Sequence, residues 1–204
     1  MTENYEEEAR IAVDTVIFTI HENKLKILLH KREKEPFKGL LELPGGLMTK
    51  LERAEDVIKR KLDELIGKQN IYVEPFFAFT DPNRDPRKRT ISLGFIALIN
   101  QDHMNNPKDW HDIKDLNKLA FDHKEILDKA ISYLKLNINS LIAKQFLPKE
   151  FPLNRLQDVY EILENKEYDN RNFRKKMISS GIVKETKKYE KDVSHRPAKL
   201  FKFK

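Results

Sequence analysis

The chain has 204 residues, a formal charge of +6, 39% hydrophobic and 35% charged residues, and no cysteine. Its mean hydropathy is −0.67. It holds no apolar run of the ~18 residues that a membrane span needs, and the acidic start is not that of a signal peptide. Without cysteine there is no disulfide scaffold, thiolate zinc site or cysteine nucleophile, which fits a soluble protein of a reducing cytoplasm. The length suits one medium domain with a small appendage. Charge is uneven: residues 1–150 carry 25 Lys+Arg against 25 Asp+Glu, and residues 151–204 carry 14 against 8. A basic tail on a neutral body suggests a polyanion partner. A generally lysine-rich composition is the competing reading.

Residues 11–20 are rich in β-branched side chains and read as a buried strand. Residues 21–24 form a polar turn and 25–31 the hairpin partner. Residues 36–46 hold a short strand and a loop ending Leu43-Pro-Gly-Gly46. Ala54, Val57, Ile58, Leu62, Leu65 and Ile66 recur at three- and four-residue steps, which predicts a helix over 52–66 stopped by Gly67. Two more strands, 71–79 and 90–100, flank the charged loop 81–89 with its two prolines. A long helix is expected from 122 to 136, continuing toward Lys144. The body is therefore of the α+β class, with helices layered on a sheet.

Residues 145–152 carry two prolines and read as a boundary, which divides the chain into 1–147 and 148–204. In the tail, Asn154 is positioned to cap a helix with Gln157 as its box partner. A stripe of Leu156, Val159, Tyr160 and Leu163 follows. A turn at 165–169, a second helix at about 170–180 and strands at 182–186 and 198–203 complete the order of a winged helix-turn-helix. In the second helix Phe173 and Met177 share a face, leaving Arg171, Asn172, Arg174 and Lys175 mostly turned away from it. Arginine reads guanine and asparagine adenine, whereas lysine neutralises phosphate. The loop 187–197 is the expected wing, with His195, Arg196 and Lys199 at its tip or flank. These residues are the candidate DNA contacts.

Gly46, Glu52, Arg60, Leu62, Glu64 and Gly67 fall at the spacing of the Nudix box, and the preceding Leu-Pro-Gly-Gly also resembles that family. In Nudix hydrolases the positions equivalent to 61, 64 and 65 carry glutamates on one helical face, where they hold Mg²⁺ against a diphosphate. Here they are Lys61, Glu64 and Leu65, and Lys68 replaces the final aliphatic. Two unit like charges at ~4 Å repel by about 1–4 kcal/mol at effective dielectrics of 80 to 20, and a divalent ion doubles this. The expectation is no catalytic residue, no metal site and no cofactor. Binding can outlast catalysis, so Arg32, Gly45, Gly46, Lys61, Glu64, Arg84 and Arg89, with Arg87 beside them, are the candidate ligand-binding residues.

Nearly the whole chain is similar to the Nudix-related transcriptional regulators of the NrtR type. The likeness is carried by the degenerate box, Arg84-Asp-Pro-Arg87 with Thr90-Ile-Ser-Leu93, and Ala120-Phe-Asp-His-Lys-Glu-Ile126. Phe151-Pro-Leu-Asn-Arg-Leu-Gln157, Asp169-Asn-Arg-Asn-Phe-Arg-Lys-Lys176 and Arg196-Pro-Ala-Lys-Leu-Phe201 extend it through the tail. The resemblance implies a Nudix-like α/β/α sandwich joined to a small winged helix-turn-helix. It further implies a homodimeric cytoplasmic repressor on a palindromic double-stranded DNA operator, with no membrane partner. Its effector would be ADP-ribose or a related metabolite and its targets NAD-metabolism genes; a sister branch senses a pentose such as arabinose. Two competing readings are an active Nudix hydrolase with an RNA- or protein-binding tail, and a non-catalytic scaffold with a basic interaction module.

Overall fold

The computed structural model describes residues 8–68, 71–104, 106–138, 140–191, 194 and 196–204. Strands β1 (Arg10–His21), β2 (Lys24–Leu28), β3 (His30–Lys31), β4 (Leu41–Glu42) and β5 (Gly45–Leu47) precede helix α1 (Ala54–Ile66). Then come β6 (Tyr72–Phe79), β7 (Thr90–Leu98), β8 (Trp110–Asp112), α2 (His123–Leu136) and α3 (Ser140–Gln145). The chain closes with β9 (Phe151–Pro152), α4 (Leu153–Glu164), α5 (Asn170–Ser179), β10 (Val183–Tyr189) and β11 (Lys199–Phe203). No helix among the described residues is long and apolar enough to cross a membrane.

The apolar run that marks β1 makes it the centre of a mixed sheet ordered β6-β7-β1-β2-β8, with β5 also on β1. It runs parallel to β7, with Val13 opposite Leu93, and antiparallel to β2. Both its faces are covered, so Val13 to Thr19 are buried without interruption. Val13 and Ile17 pack under α1 with Val57, Ile58 and Leu62. Val16 and Phe18 face the opposite layer with Ile126, Ala130 and Leu134 of α2. Burial of one such side chain contributes about 1.5–3 kcal/mol. The sheet between two helical layers is the expected α+β sandwich.

In the tail, β9 joins β10 and β11 in a sheet ordered β10-β11-β9. With α4 and α5 this is the expected winged helix-turn-helix. Its buried Leu156, Val159, Leu163, Phe173, Met177 and Phe201 belong to the same continuous core as Val16, Phe18 and Leu134 of the body.

Three local expectations are corrected, and two short strands were not foreseen. The hairpin partner of β1 ends at Leu28; Leu29 N–H donates to Asp109 O at 3.0 Å, and β3 pairs with β4 instead. The long helix stops at Asn137, whose backbone N–H and side-chain amide both donate to Tyr133 O. Asparagine competes in this way with helix continuation. The capping box at Asn154 does not form. Helix α4 begins at Leu153 after Pro152, and Asn154 Oδ1 accepts from Arg155 N–H at 3.0 Å. Gln157 is buried; its Nε2 donates to Glu161 Oε1 (2.8 Å) and Tyr168 O (2.9 Å), tying α4 to the turn before α5. Finally, β8 and β9, three and two residues long, fell below what strand periodicity can reveal.

Candidate functional site

A charged cavity of about 150 Å³ lies between β1, the β4–β5 loop, the 81–90 loop and the start of α2. Asp14, on the α2-facing side of β1, anchors it. Ser92 Oγ donates to Asp14 Oδ2 at 2.6 Å, and Arg84 Nη2 donates to the same oxygen at 3.1 Å. Arg84 also makes a two-pronged bond to Asp122, Nε to Oδ2 and Nη2 to Oδ1, both 2.8 Å. Burial alone would lower the Arg84 pKa, but Asp122 and Asp14 outweigh it and raise it.

His123 follows Asp122 at the start of α2. Its Nδ1 accepts from Leu43 N–H at 2.9 Å, and Nε2 lies 3.5 Å from Asp14 Oδ1. Burial depresses the imidazole pKa below its ordinary value against the pull of Asp14, so the ring is neutral with its proton on Nε2. Gly45 pairs with Asp14 in the β1–β5 ladder. A Cβ there would lie 2.3 Å from Val13 O and 2.7 Å from Asp14 Oδ1, so only glycine fits.

At the cavity, two guanidinium groups lie over the Phe121 ring, Arg32 at 4.7 Å and Arg87 at 5.2 Å from its centroid. Its edge meets Phe37, with centroids 4.8 Å apart. Both phenylalanines have positive φ, +50° and +69°. Left-handed backbone at a bulky residue costs on the order of 1–3 kcal/mol and persists only where surrounding contacts impose it. Arg32 Nη1 donates to Glu42 Oε2 at 2.7 Å, and His30 Nε2 lies 3.1 Å from Glu42 Oε1. Burial would raise the Glu42 pKa, yet the bonds to His30 and Arg32 bring it down. Arg87 is held by Asp85, whose own pKa that contact lowers.

Of the expected ligand residues, the structure brings Arg32, Gly45, Gly46 and Arg84 to this cavity, with Arg87. Arg84 is nearly buried and committed to two carboxylates, so it positions the wall and is not poised to reach a ligand. Lys61, Glu64 and Arg89 do not line the cavity. Lys61 Nζ lies 2.8 Å from Glu64 Oε2 on α1, and Arg89 Nη1 donates to Thr80 O at 2.8 Å. Leu65 packs at the edge of the α1 core. Glu52 accepts from Thr49 N–H and from Arg60, a loop-fastening role. Sequence reasoning missed Asp14, Glu42, Phe121, Asp122 and His123. Asp14 did carry a signal, a lone carboxylate inside an apolar strand.

In the tail, Asp169 Oδ1 caps α5 by accepting from Asn172 N–H at 2.9 Å. Phe173 and Met177 are buried, and Arg171, Asn172, Arg174 and Lys175 share the exposed surface. Arg174 is not simply solvated: its guanidinium lies 5.4 Å from the Phe201 ring centroid. Lys199, expected to face phosphate, has its amine 2.9 Å from Glu185 Oε2 across the wing ladder. Arg196 lies just before β11, and His195 falls outside the described residues.

Residues 10–134 match the NUDIX domain model, and residues 143–203 match that of the NrtR DNA-binding winged helix domain. The chain is 32% identical over 205 residues to the ADPR responsive transcriptional repressor NtrR of Acinetobacter baylyi, covering 95% of this chain and 81% of that one. It is 35% identical to an ADP-ribose pyrophosphatase of Methanocaldococcus jannaschii, over 57% of this chain and 70% of the enzyme. Shewanella oneidensis NrtR complexed with a 27mer DNA superposes with a TM-score of 0.83 at 30% identity, covering 95% of this chain and 93% of that one. The NUDIX domain of that regulator complexed with ADP ribose gives 0.55 at 31% identity, over 66% of this chain and 99% of the domain.

Proposed function

The chain belongs to the NrtR family, a Nudix domain joined to an NrtR-type winged helix domain, and from that membership we propose a DNA-binding transcriptional repressor that senses ADP-ribose. The observation that carries this reading is the near full-length superposition on a DNA-bound relative. Residues 1–147 are the sensing and dimerising half, and 148–204 the DNA-binding half. Two copies on a palindromic operator follow from the match between protein two-fold axes and half-site symmetry.

Arg171 and Asn172, in the first turn of α5, are the base readers, and Lys175 and Arg196 meet phosphates. In the cavity, Arg32 and Arg87, held in place by Glu42 and Asp85, supply positive charge suited to a diphosphate, and the Gly45–Gly46 backbone lets it approach closely. A cavity of about 150 Å³ is below the ~300 Å³ of ordinary ligand sites. ADP-ribose therefore enters by parting Arg32, Phe121 and Arg87. Asp122 and His123 open α2, which packs against α4, and so the wall that must yield is joined to the DNA-binding half.

Hydrolysis is not part of this reading. A hard divalent cation wants several oxygen ligands. The relevant face of α1 offers Glu64 alone, held by Lys61, beside Leu65. These residues do not fit Mg²⁺.

Fluorescence anisotropy on DNA upstream of the chain's own operon tests the proposal. Saturable binding released by ADP-ribose is expected. Release by arabinose alone would transfer the chain to the pentose-sensing branch. Failure to bind that DNA would overturn the repressor reading.

A further inference from the structure

A second and larger concavity, about 780 Å³, lies between the two halves. Its apolar lining comes from Ile71, Leu98, Ile99 and Leu147, and it carries Lys144, Lys149, Lys184 and Lys202. The acid among its lining residues is Asp102, beside His103. Among the described residues none of these four lysines has a carboxylate partner, whereas the nearby Lys188 and Lys199 pair with Glu150 and Glu185. Lys184 and Lys202 are direct partners in the β10–β11 ladder. Like charges placed opposite one another in a sheet destabilise it, and an anion seated between them reverses that cost.

Strand alternation settles which side of the wing they occupy. Val183 and Phe201 are buried toward Phe173 and Met177 of α5. Lys184 and Lys202, one residue out of phase, project from the opposite face. The groove therefore lies across the wing sheet from α5, with Ile71 and Leu98 of the body also lining it. The size is that of a small-molecule site, and domain seams are common places for one.

We infer that this groove is a second effector site, for a nucleoside polyphosphate: the lysines take the phosphates and the apolar floor contributed by the body and the 145–148 segment takes the base. Because both halves wall the groove, its ligand ties the wing to the sensing domain. The inference stands apart from the ADP-ribose reading and uses none of its residues.

Calorimetric titration of the full-length protein with ATP and, separately, with inorganic triphosphate tests it. Saturable ATP binding is expected, weakened at least about tenfold in the Lys184→Gln/Lys202→Gln variant. Binding should persist in Phe121→Ala, which alters the other cavity, and the lysine variant should keep its response to ADP-ribose. Absence of ATP binding, or unchanged binding in the lysine variant, would overturn the site. Equal affinity for inorganic triphosphate would remove the nucleoside. Displacement of ATP by duplex DNA would assign the lysines to the DNA interface instead.

Discussion

Arg84 holds Asp14 and Asp122 together where its own side chain is only 4% exposed. Cutting it back leaves two carboxylates facing one another without a cation, and breaking a buried pair in this way costs about 3–5 kcal/mol. Arg84→Ala should therefore lower unfolding free energy by that order in urea titration; a loss under about 1 kcal/mol, the range of an exposed pair, would show the clasp to be dispensable. His123 gives a pH signature. Its folded pKa is depressed, so below the ordinary histidine value the unfolded chain binds a proton that the folded one refuses. Stability should fall as pH drops through about 6.5, by at most about 1.4 kcal/mol per pH unit for one proton. His123→Gln should flatten that part of the profile, and an unchanged slope would clear His123 of the effect. None of this clasp was legible from spacing, because Arg84 lies 70 residues from Asp14 and 38 from Asp122. Local periodicity carries no information about partners so far apart. Gly45 and Gly46 were legible, since their spacing belongs to a motif.

At the scale of elements, α1 and α5 were the easiest to read, because each pairs an apolar stripe with a polar face. The three-to-four-residue spacing of Val57, Ile58 and Leu62 places them correctly in the core, and the same holds for Phe173 and Met177. What spacing could not show was which polar residue is already engaged. Lys61→Glu with Leu65→Glu restores the carboxylate pattern but not its surroundings. We expect weak Mn²⁺ binding and no ADP-ribose turnover, since catalysis demands exact placement of the reacting groups. AMP release at about 1 s⁻¹, a slow but ordinary enzymatic rate, would reverse that expectation. On α5, Arg171→Ala should cost about 1–3 kcal/mol on the operator and relax preference at one base pair. Lys175→Ala should weaken all sequences alike and lower the salt slope by about 1. Arg174 has a different expectation, because its guanidinium covers the Phe201 ring. If Arg174→Ala lowers the melting temperature while Arg171→Ala does not, Arg174 serves the wing fold as well as any DNA contact.

Across the whole molecule, the order of elements announced two functional halves, yet the packing does not divide where the sequence does. The proline-marked segment 145–152 reads as a linker because prolines interrupt helices and strands locally. Nevertheless Phe146, Leu147 and Phe151 are buried in the core that runs from Phe18 to Phe201. Thermal unfolding of the full chain should therefore be a single transition. Two separate melts would refute a shared core. The isolated segment 148–204 should bind the operator far more weakly than the full chain, since it brings one recognition helix and loses the support of α2. The same continuity limits what can be rebuilt from this protein by cutting and joining. A chimera that sets a foreign winged helix on residues 1–147 would leave Leu134 and Leu25 facing a surface never shaped to them. Such a transplant would need matched changes along α2 and β2, the elements that α4 touches; without them the graft would be tethered to the sensor but deaf to it.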